Sequence, residues 1–319
     1  MTIFAEDWQA TYGSPYLVQP EDQGVAEVAL VEDGSAFRVH SARQVGGAHE
    51  RIAFVDGVRR GEASLYQYDL ASGRVARGVA GSHACGGVIA DGVQRPEFTE
   101  AAVQRLIIWG SGLAGDLPDV NGGWQWICRS IADEAVEAPL AALQQRMRQQ
   151  EAMLADRLCG QGLLVVVDGP LSYLRNLDVP VVGYIKTHSR ALLPPEHHKR
   201  IPELRPGERS SIFSLGRDRY SCYVRLAPSG GLSGPWAGMV RLEVPQSAGL
   251  QHSIEVVDRV SGIIPRYAGI AYRDPRAPQN LQPVGSLETR LRHLLGDTGM
   301  AYRAVRESIH SLSQKEVLA

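Results

Sequence analysis

Two stretches of this chain run a buried strand into a carboxylate. In Gly162-Leu163-Leu164-Val165-Val166-Val167-Asp168-Gly169-Pro170, five consecutive apolar residues, three of them β-branched, read as a strand covered on both faces. Asp168 closes it, and Gly-Pro turns the chain. Arg51-Ile52-Ala53-Phe54-Val55-Asp56-Gly57 repeats the arrangement with Asp56. An acid at the end of a buried strand stays ionised only when a cation or hydrogen bonds compensate it. Taken singly, either Asp reads first as a cap for the turn behind it. Two such strands delivering acids to one sheet edge predict a metal site.

The elements that must position further charged groups are also visible. The longest periodic segment, about Asp133 to Leu158, repeats Val136, Leu140, Leu143, Met147, Leu154 and Leu158 at three- and four-residue steps, one helix face. Glu151 lies beside that stripe, either turned into the interior or at its margin and reaching water. Val181-Val182-Gly183-Tyr184-Ile185-Lys186 is another buried strand ending in a charge, here Lys186. A late helix starts around Val284–Ser286, with Leu287, Leu291, Leu294 and Leu295 as its stripe, Gly296 as its stop and Glu288 on its flank.

Around these, Ile52–Val55, Ser64–Leu70 and Arg74–Ile89 predict a three-stranded antiparallel meander, and residues 98–110 a short amphipathic helix. Residues 187–210 read as an extended loop, Ser221–Leu226 and Gly238–Val244 as an antiparallel edge pair or subdomain, and Ile254–Val257 as strand or helix. A strand at Val25–Val31 and a last helix from about Met300 to Leu312 complete the reading. The order is strand with acid, two strands, helix with acid, strand with acid, strand with Lys, late helix with acid. That is the order of a ribonuclease-H-like α/β domain, a mixed sheet flanked by helices, here with an antiparallel β insertion at about 187–250. Residues 1–50 are expected to be an N-terminal arm or edge element, and residues 51–319 the domain.

Composition narrows the class. The 319 residues can bury one large core or two, and 44% hydrophobic with 21% charged content is ordinary for a soluble globular protein. No apolar run reaches the ~20 residues of a membrane helix, and the first residues lack signal-peptide features. Cys85, Cys128, Cys159 and Cys222 are far apart with no CxxC spacing, which argues against zinc ribbons and disulfide frameworks and for a cytoplasmic setting. A net charge of −2 gives no global attraction to nucleic acid, although Lys186–Arg219 holds eight Lys/Arg against four Asp/Glu.

Through Phe54-Val55-Asp56-Gly57, Val165-Val166-Val167-Asp168-Gly169-Pro170-Leu171 and Val182-Gly183-Tyr184-Ile185-Lys186-Thr187-His188, the sequence resembles the NurA family of DNA-end-processing nucleases. Pro278-Gln279-Asn280-Leu281-Gln282-Pro283, leading into Ser286-Leu287-Glu288, matches more loosely, and the resemblance covers roughly residues 50–312. It implies a manganese-dependent DNA nuclease of the 5′–3′ exonuclease/endonuclease type, acting on single- and double-stranded ends in double-strand break repair. It also implies a homodimer and partnership with a HerA-type hexameric ATPase, and the chain has no GxxxxGK[ST] motor motif of its own. Carried over, the metal ligands fall on Asp56, Glu151 and Asp168. The family's late Tyr and His fall on Asn280 and Glu288. A carboxylate can replace imidazole for Mn²⁺ or Mg²⁺. Glu288 is then a fourth ligand with altered metal preference, or the mark of a weakened or inactive DNA-end-binding or assembly subunit.

Two divalent ions bridged by carboxylates would activate water and clamp the charge of phosphodiester hydrolysis, with Lys186 contacting the scissile phosphate or positioning the nucleophile, or else a strand-end lysine pointing into water. A nuclease of the same fold acting on RNA is a further possibility. Arg59 and Arg60 stand just past Asp56 for phosphate contact. Lys186, His188, Arg190, Lys199, Arg200, Arg205 and Arg209 could follow a DNA backbone, with Asn280 beside the late motif; a basic loop serves equally as solvated surface. His188, His197 and His198 fit no closed zinc spacing. Trp124 and Trp126 either stack bases or pack the core.

Overall fold

The computed structural model of the chain describes residues 2–5, 27–34, 36–41, 50–68, 73–120, 124–171, 173–174, 180–188, 191–228 and 234–318. The strands are β1 (Thr2–Ala5), β2 (Val28–Leu30), β3 (Val39–Ser41), β4 (Ile52–Tyr68), β5 (Val75–Ala90), β6 (Glu97–Phe98), β7 (Ala102–Trp109) and β8 (Ile127–Ser130). They continue as β9 (Leu164–Asp168), β10 (Val181–Ile185), β11 (Glu208–Ser210), β12 (Phe213–Leu215), β13 (Arg219–Arg225) and β14 (Met239–Pro245). The helices are α1 (Ala138–Gly160), α2 (Pro195–His198), α3 (Leu250–Ile263), α4 (Gln282–Leu294) and α5 (Thr298–Leu318). All strands join one mixed sheet in the order β2-β12-β13-β14-β10-β9-β4-β5-β7-β8, with β1, β3, β6 and β11 beside that path. The protein is α/β, a large mixed sheet flanked by helices.

Strand alternation assigns the faces. Ala53, Val55, Val165 and Val167 pack under Leu154, Ala155 and Leu158 of α1. Ile52, Phe54, Leu164 and Val166 point the other way, onto Val256, Val257 and Val260 of α3 and Val284 of α4. Further along β4, Val58 meets Leu287 and Leu291 of α4. At the centre β9 lies parallel to β4, with Ile52↔Leu164 through Val55↔Val167 in register. There β9 stops while β4 continues to Tyr68, and β1 joins the same edge only at Leu65.

Several sequence expectations change. The strand through Asp56 does not end there: Ser64–Tyr68 belongs to the same 17-residue β4, and Asp69 and Leu70 lie outside the described residues. Gly57 and Gly61 look like breaks but sit in continuous pairing with β5, interrupted only by a bulge between Gly61 and Ala63. Residues 98–110 are not a helix. Ala102–Trp109 forms β7, paired to β5 from Gly78↔Trp109 to Cys85↔Ala102, because a short apolar run such as Leu106-Ile107-Ile108-Trp109 fits either period and the β5 ladder decides. The meander is therefore β4–β5–β7. Val136 precedes α1 and is exposed. The 187–210 segment holds α2, a 3₁₀ turn at Ile201–Glu203 and β11. β13 and β14 pair as expected, but β14 also pairs with β10, so they continue the main sheet rather than edge it. Ile254–Val257 is helical, within α3. The early strand spans Val28–Leu30, with Val25 and Ala26 outside the described residues.

Candidate metal centre

The site lies where β9 ends beside the continuing β4. Val55 is level with Val167, so the next residues, Asp56 and Asp168, are neighbours on parallel strands and share a face. That face is covered by α4, which contributes Glu288. One carboxylate oxygen each from Asp56, Asp168 and Glu288 lie within 4.8 Å of one another. Glu151 comes from α1 on the opposite face, outside this triangle but beside it. It approaches because Gly57, directly after Asp56, has no side chain: a Cβ there would stand 2.7 Å from Glu151 Oε1. Three acids converge in one cluster, and the fourth comes up against Gly57 on the other face.

Each acid except Asp56 has a cation of its own. Arg148 Nη1 donates to Glu151 Oε2 at 2.9 Å and to the Asp168 carbonyl at 2.7 Å. Lys186 Nζ, just past β10, donates to Asp168 Oδ2 at 2.6 Å and to Asn280 Oδ1 at 2.7 Å. Arg276 grips Glu288 with two bonds of 2.9 and 2.7 Å. It also touches Asp274, which in turn accepts from Asn280 Nδ2 at 2.5 Å. Asn280 is buried, so its amide is a fixed relay that orients Lys186. Tyr184 Oη donates to the Gln279 carbonyl and pins the same loop to the sheet.

The electrostatics follow from burial. Asp56 is 6% exposed and, among the described residues, has only the Gly57 N–H on Oδ1. Burial raises its pKa well above the usual carboxylate value, Asp168 and Glu151 raise it further, and Lys186 opposes them. Glu151 is 1% exposed. Burial is the main cause that pushes it up to about 7, against the pull of the Arg148 charge. Its Oε1 has no hydrogen-bond partner among the described residues; the Gly57 N–H, which lies close enough to lower the Glu151 pKa, donates to Asp56 Oδ1. A buried, orphaned carboxylate oxygen beside three converging acids is unfavourable without a cation. The donor set is all oxygen and suits Mg²⁺ or Mn²⁺ rather than zinc. The residues present fit a divalent ion.

The other candidates separate. Arg59 lies on the α1 face and donates from Nε to Gln144 Oε1. Arg60 points away from it. It forms a bidentate pair with Glu62 at 2.8 and 2.9 Å and reaches the Gly296 and Leu295 carbonyls after α4. The phosphate contact expected of Arg60 gives way to this structural role, because all three of its donor nitrogens are committed. His188 is likewise drawn inward: its Nε2 meets the Met239 carbonyl, and its ring packs on Tyr223 and Trp236. His198 also stacks on Trp236, and His197 on Phe37, an aromatic cluster and not a ligand set. Lys199 is exposed. Arg200 lies over the Phe37 ring and bonds its carbonyl. Arg209, expected on the surface, is buried between Glu32 and Asp258. Arg190 lies outside the described residues. Trp126 is buried with its Nε1 on Ser308, and Trp124 carries Arg105 on its face, so the pair serves the core.

Sequence reasoning missed Arg148, Arg276, Asp274 and Gly57. Arg148 had a local signal, standing three residues before Glu151 on one helix. Arg276 had none, being twelve residues from its partner across a turn.

No protein-family profile matches the chain, and no curated protein matches it. Among solved structures, the crystal structure of the NurA nuclease from Sulfolobus solfataricus superposes over 88% of this chain and 87% of that one, with 13% sequence identity and a TM-score of 0.45. A likeness this distant leaves function to be argued from the site's own residues.

Proposed function

We propose that the chain is a metal-dependent deoxyribonuclease that hydrolyses phosphodiester bonds at DNA ends. The observation that carries the reading is the convergence of Asp56, Asp168 and Glu288 within 4.8 Å, next to the buried and unpartnered Glu151 Oε1. In this reading the four acids hold Mn²⁺ or Mg²⁺, as two ions. When bound, such ions activate a water and offset charge at phosphorus and at the leaving oxygen. Lys186, held between Asp168 and Asn280, presents its ammonium to the scissile phosphate. Asn280 fixes that lysine, and Arg59, Lys199, Arg200 and Arg190 are the basic groups assigned to the DNA strand.

The motif likeness to the NurA family supports DNA over RNA as substrate and a ribonuclease-H-like reading of the sheet. Within it, residues 51–319 are the nuclease domain with an insertion at about 187–250, and residues 1–50 an arm or edge element. The same reading makes the protein a cytoplasmic homodimer fed by a HerA-type hexameric translocase. Among the described residues no helix is long and apolar enough to cross a membrane.

A second reading, a catalytically weakened DNA-end-binding subunit, rests on one observation. Arg148, Lys186 and Arg276 already neutralise Glu151, Asp168 and Glu288. Cleavage of linear DNA with Mn²⁺ by wild type, Asp56→Asn and Asp168→Asn decides between them. Activity in wild type that falls by at least ~10²-fold in both variants supports the nuclease. Equal rates in all three proteins refute it, and salt-sensitive DNA binding without cleavage by any divalent ion selects the second reading.

A further inference from the structure

The α1 face beside the acids carries a second kind of site. Arg59 follows Gly57 by two residues on β4, so both point toward α1. Its Nε is on Gln144, and among the described residues its two terminal nitrogens have no hydrogen-bond partner and no acid pairs with it. Gln144 and Arg148 are one turn apart on α1, which brings the second guanidinium alongside the first. Arg148 is engaged only through Nη1, leaving Nε and Nη2 without hydrogen bonds among the described residues. Its head lies over Gly169, where a Cβ would stand 2.7 Å from Nη1.

Behind the pair, Arg59 is in register with His83, and His83 with Gln104, on one face of three strands. His83 is fully buried, with the Gln104 side chain beside its ring. Burial lowers its pKa to about 4, so it stays neutral there. The two partly buried guanidinium groups stand side by side, with Glu151 the only carboxylate bonded to either among the described residues; burial, then Arg148, lowers the pKa of Arg59, whereas, against burial, Glu151, Asp168 and Asp56 hold that of Arg148 up. What Arg59 lacks is an anion, and one with several oxygens would also reach the open donors of Arg148. Guanidinium forks match phosphate bidentately.

Resting on the nuclease reading above, we propose that Arg59 and Arg148 form a two-arginine clamp for a phosphate of the substrate strand, on the α1 side of the acid cluster. Arg148 thereby has two duties, orienting Glu151 and the end of β9 through Nη1 and binding phosphate through its remaining donors. The phosphate is either an internal phosphodiester or a terminal phosphate monoester, which are the same oxygens to the clamp.

The test is binding without cleavage. Fluorescence anisotropy of a labelled single-stranded oligonucleotide is followed in EDTA over a salt series, with 5′-phosphorylated and 5′-hydroxyl strands. Arg59→Gln is expected to weaken binding about tenfold and to flatten the slope of log affinity against log salt by about 0.7. Arg59→Lys keeps the charge and the slope but loses affinity with the fork. Loss with both strands assigns an internal phosphodiester, and loss confined to the phosphorylated strand assigns the terminal group. Wild-type affinity and slope in Arg59→Gln overturn the clamp. The two proposals fail separately. Asp56-dependent cleavage with unaltered binding in Arg59→Gln removes the clamp alone. A chain that cleaves nothing but binds DNA through Arg59 removes the nuclease alone.

Discussion

Gly57 is where the approach of Glu151 can be tested without touching any acid. In Gly57→Ala the new Cβ would stand 2.7 Å from Glu151 Oε1, 2.8 Å from Met147 Cγ and 3.2 Å from Met147 Sδ. Ordinary carbon contacts are ~3.5–4.0 Å, so helix and side chains must yield by about an ångström at two buried residues. Overpacking of this kind costs about 1–3 kcal/mol. Gly61, on the same strand and face, is the internal control. A Cβ there meets nothing closer than 3.9 Å, and Gly61→Ala should be neutral or stabilising by about 0.4–1 kcal/mol through the unfolded chain. That backbone gain is common to both variants, so they should differ by the overpacking cost, roughly 1–3 kcal/mol. Urea denaturation in EDTA, with the m-value unchanged, reads this difference. Repeating it with Mn²⁺ at a hundredfold excess over its dissociation constant should add about 2.7 kcal/mol to wild type. Gly57→Ala should gain at least about 1.4 kcal/mol less, the equivalent of a tenfold weaker site. Equal midpoints for Gly57→Ala and Gly61→Ala would refute the close-approach argument, and a full Mn²⁺ increment in Gly57→Ala would remove Glu151 from the ligand set.

Two further expectations follow from the same geometry. The Glu151 carboxyl sits at about 7 in place of 4.5, so the metal-free folded state holds an extra proton between those values. The stability is full below pH 4.5 and lost as pH rises through 7, in all roughly 3 kcal/mol. In EDTA, wild type should therefore lose roughly 3 kcal/mol more than Glu151→Gln between pH 5 and 8, and parallel pH profiles would contradict the burial argument. Arg60→Ala removes the bidentate pair on the buried Glu62 carboxylate and the bond to the Gly296 carbonyl after α4, while Arg105 stays on the Leu295 carbonyl. It should destabilise by about 1.5–3 kcal/mol, the loss of hydrogen bonds to a charged group, read by thermal or urea unfolding, whereas a solvated phosphate-binding arginine would cost almost nothing.

What could be read from the chain followed local signals. Asp56 and Asp168 were visible because each follows an uninterrupted apolar run, and parallel pairing sets the two runs level. Glu151 and Glu288 were visible as acids flanking helical stripes. The sheet's extent was not. Gly57, Gly61, Gly78 and Gly81 lie inside β4 and β5 and look like punctuation in a sequence. In three dimensions Gly57, Gly78 and Gly81 are places where Glu151, Trp109 and Leu143 press against the sheet. β7 reads as a helix in the sequence because Leu106-Ile107-Ile108-Trp109 is buried whole and shows no alternation. The counter-charges were hidden for a simpler reason. Arg276 and Lys186 find their acids across turns and neighbouring strands, at separations that carry no sequence pattern.

The four-rung ladder between β4 and β9 is the narrow waist of the whole sheet. Among the described residues it is the only strand pairing that joins β4, β5, β7 and β8 to β9, β10, β14 and the strands beyond. Asp56 belongs to the first half and Asp168 to the second, at the open end of that waist. Rocking of one half against the other would change the gap between those two carboxylates. A cation gripped by both would act as a rivet, coupling the stiffness of the molecule to the occupancy of its site.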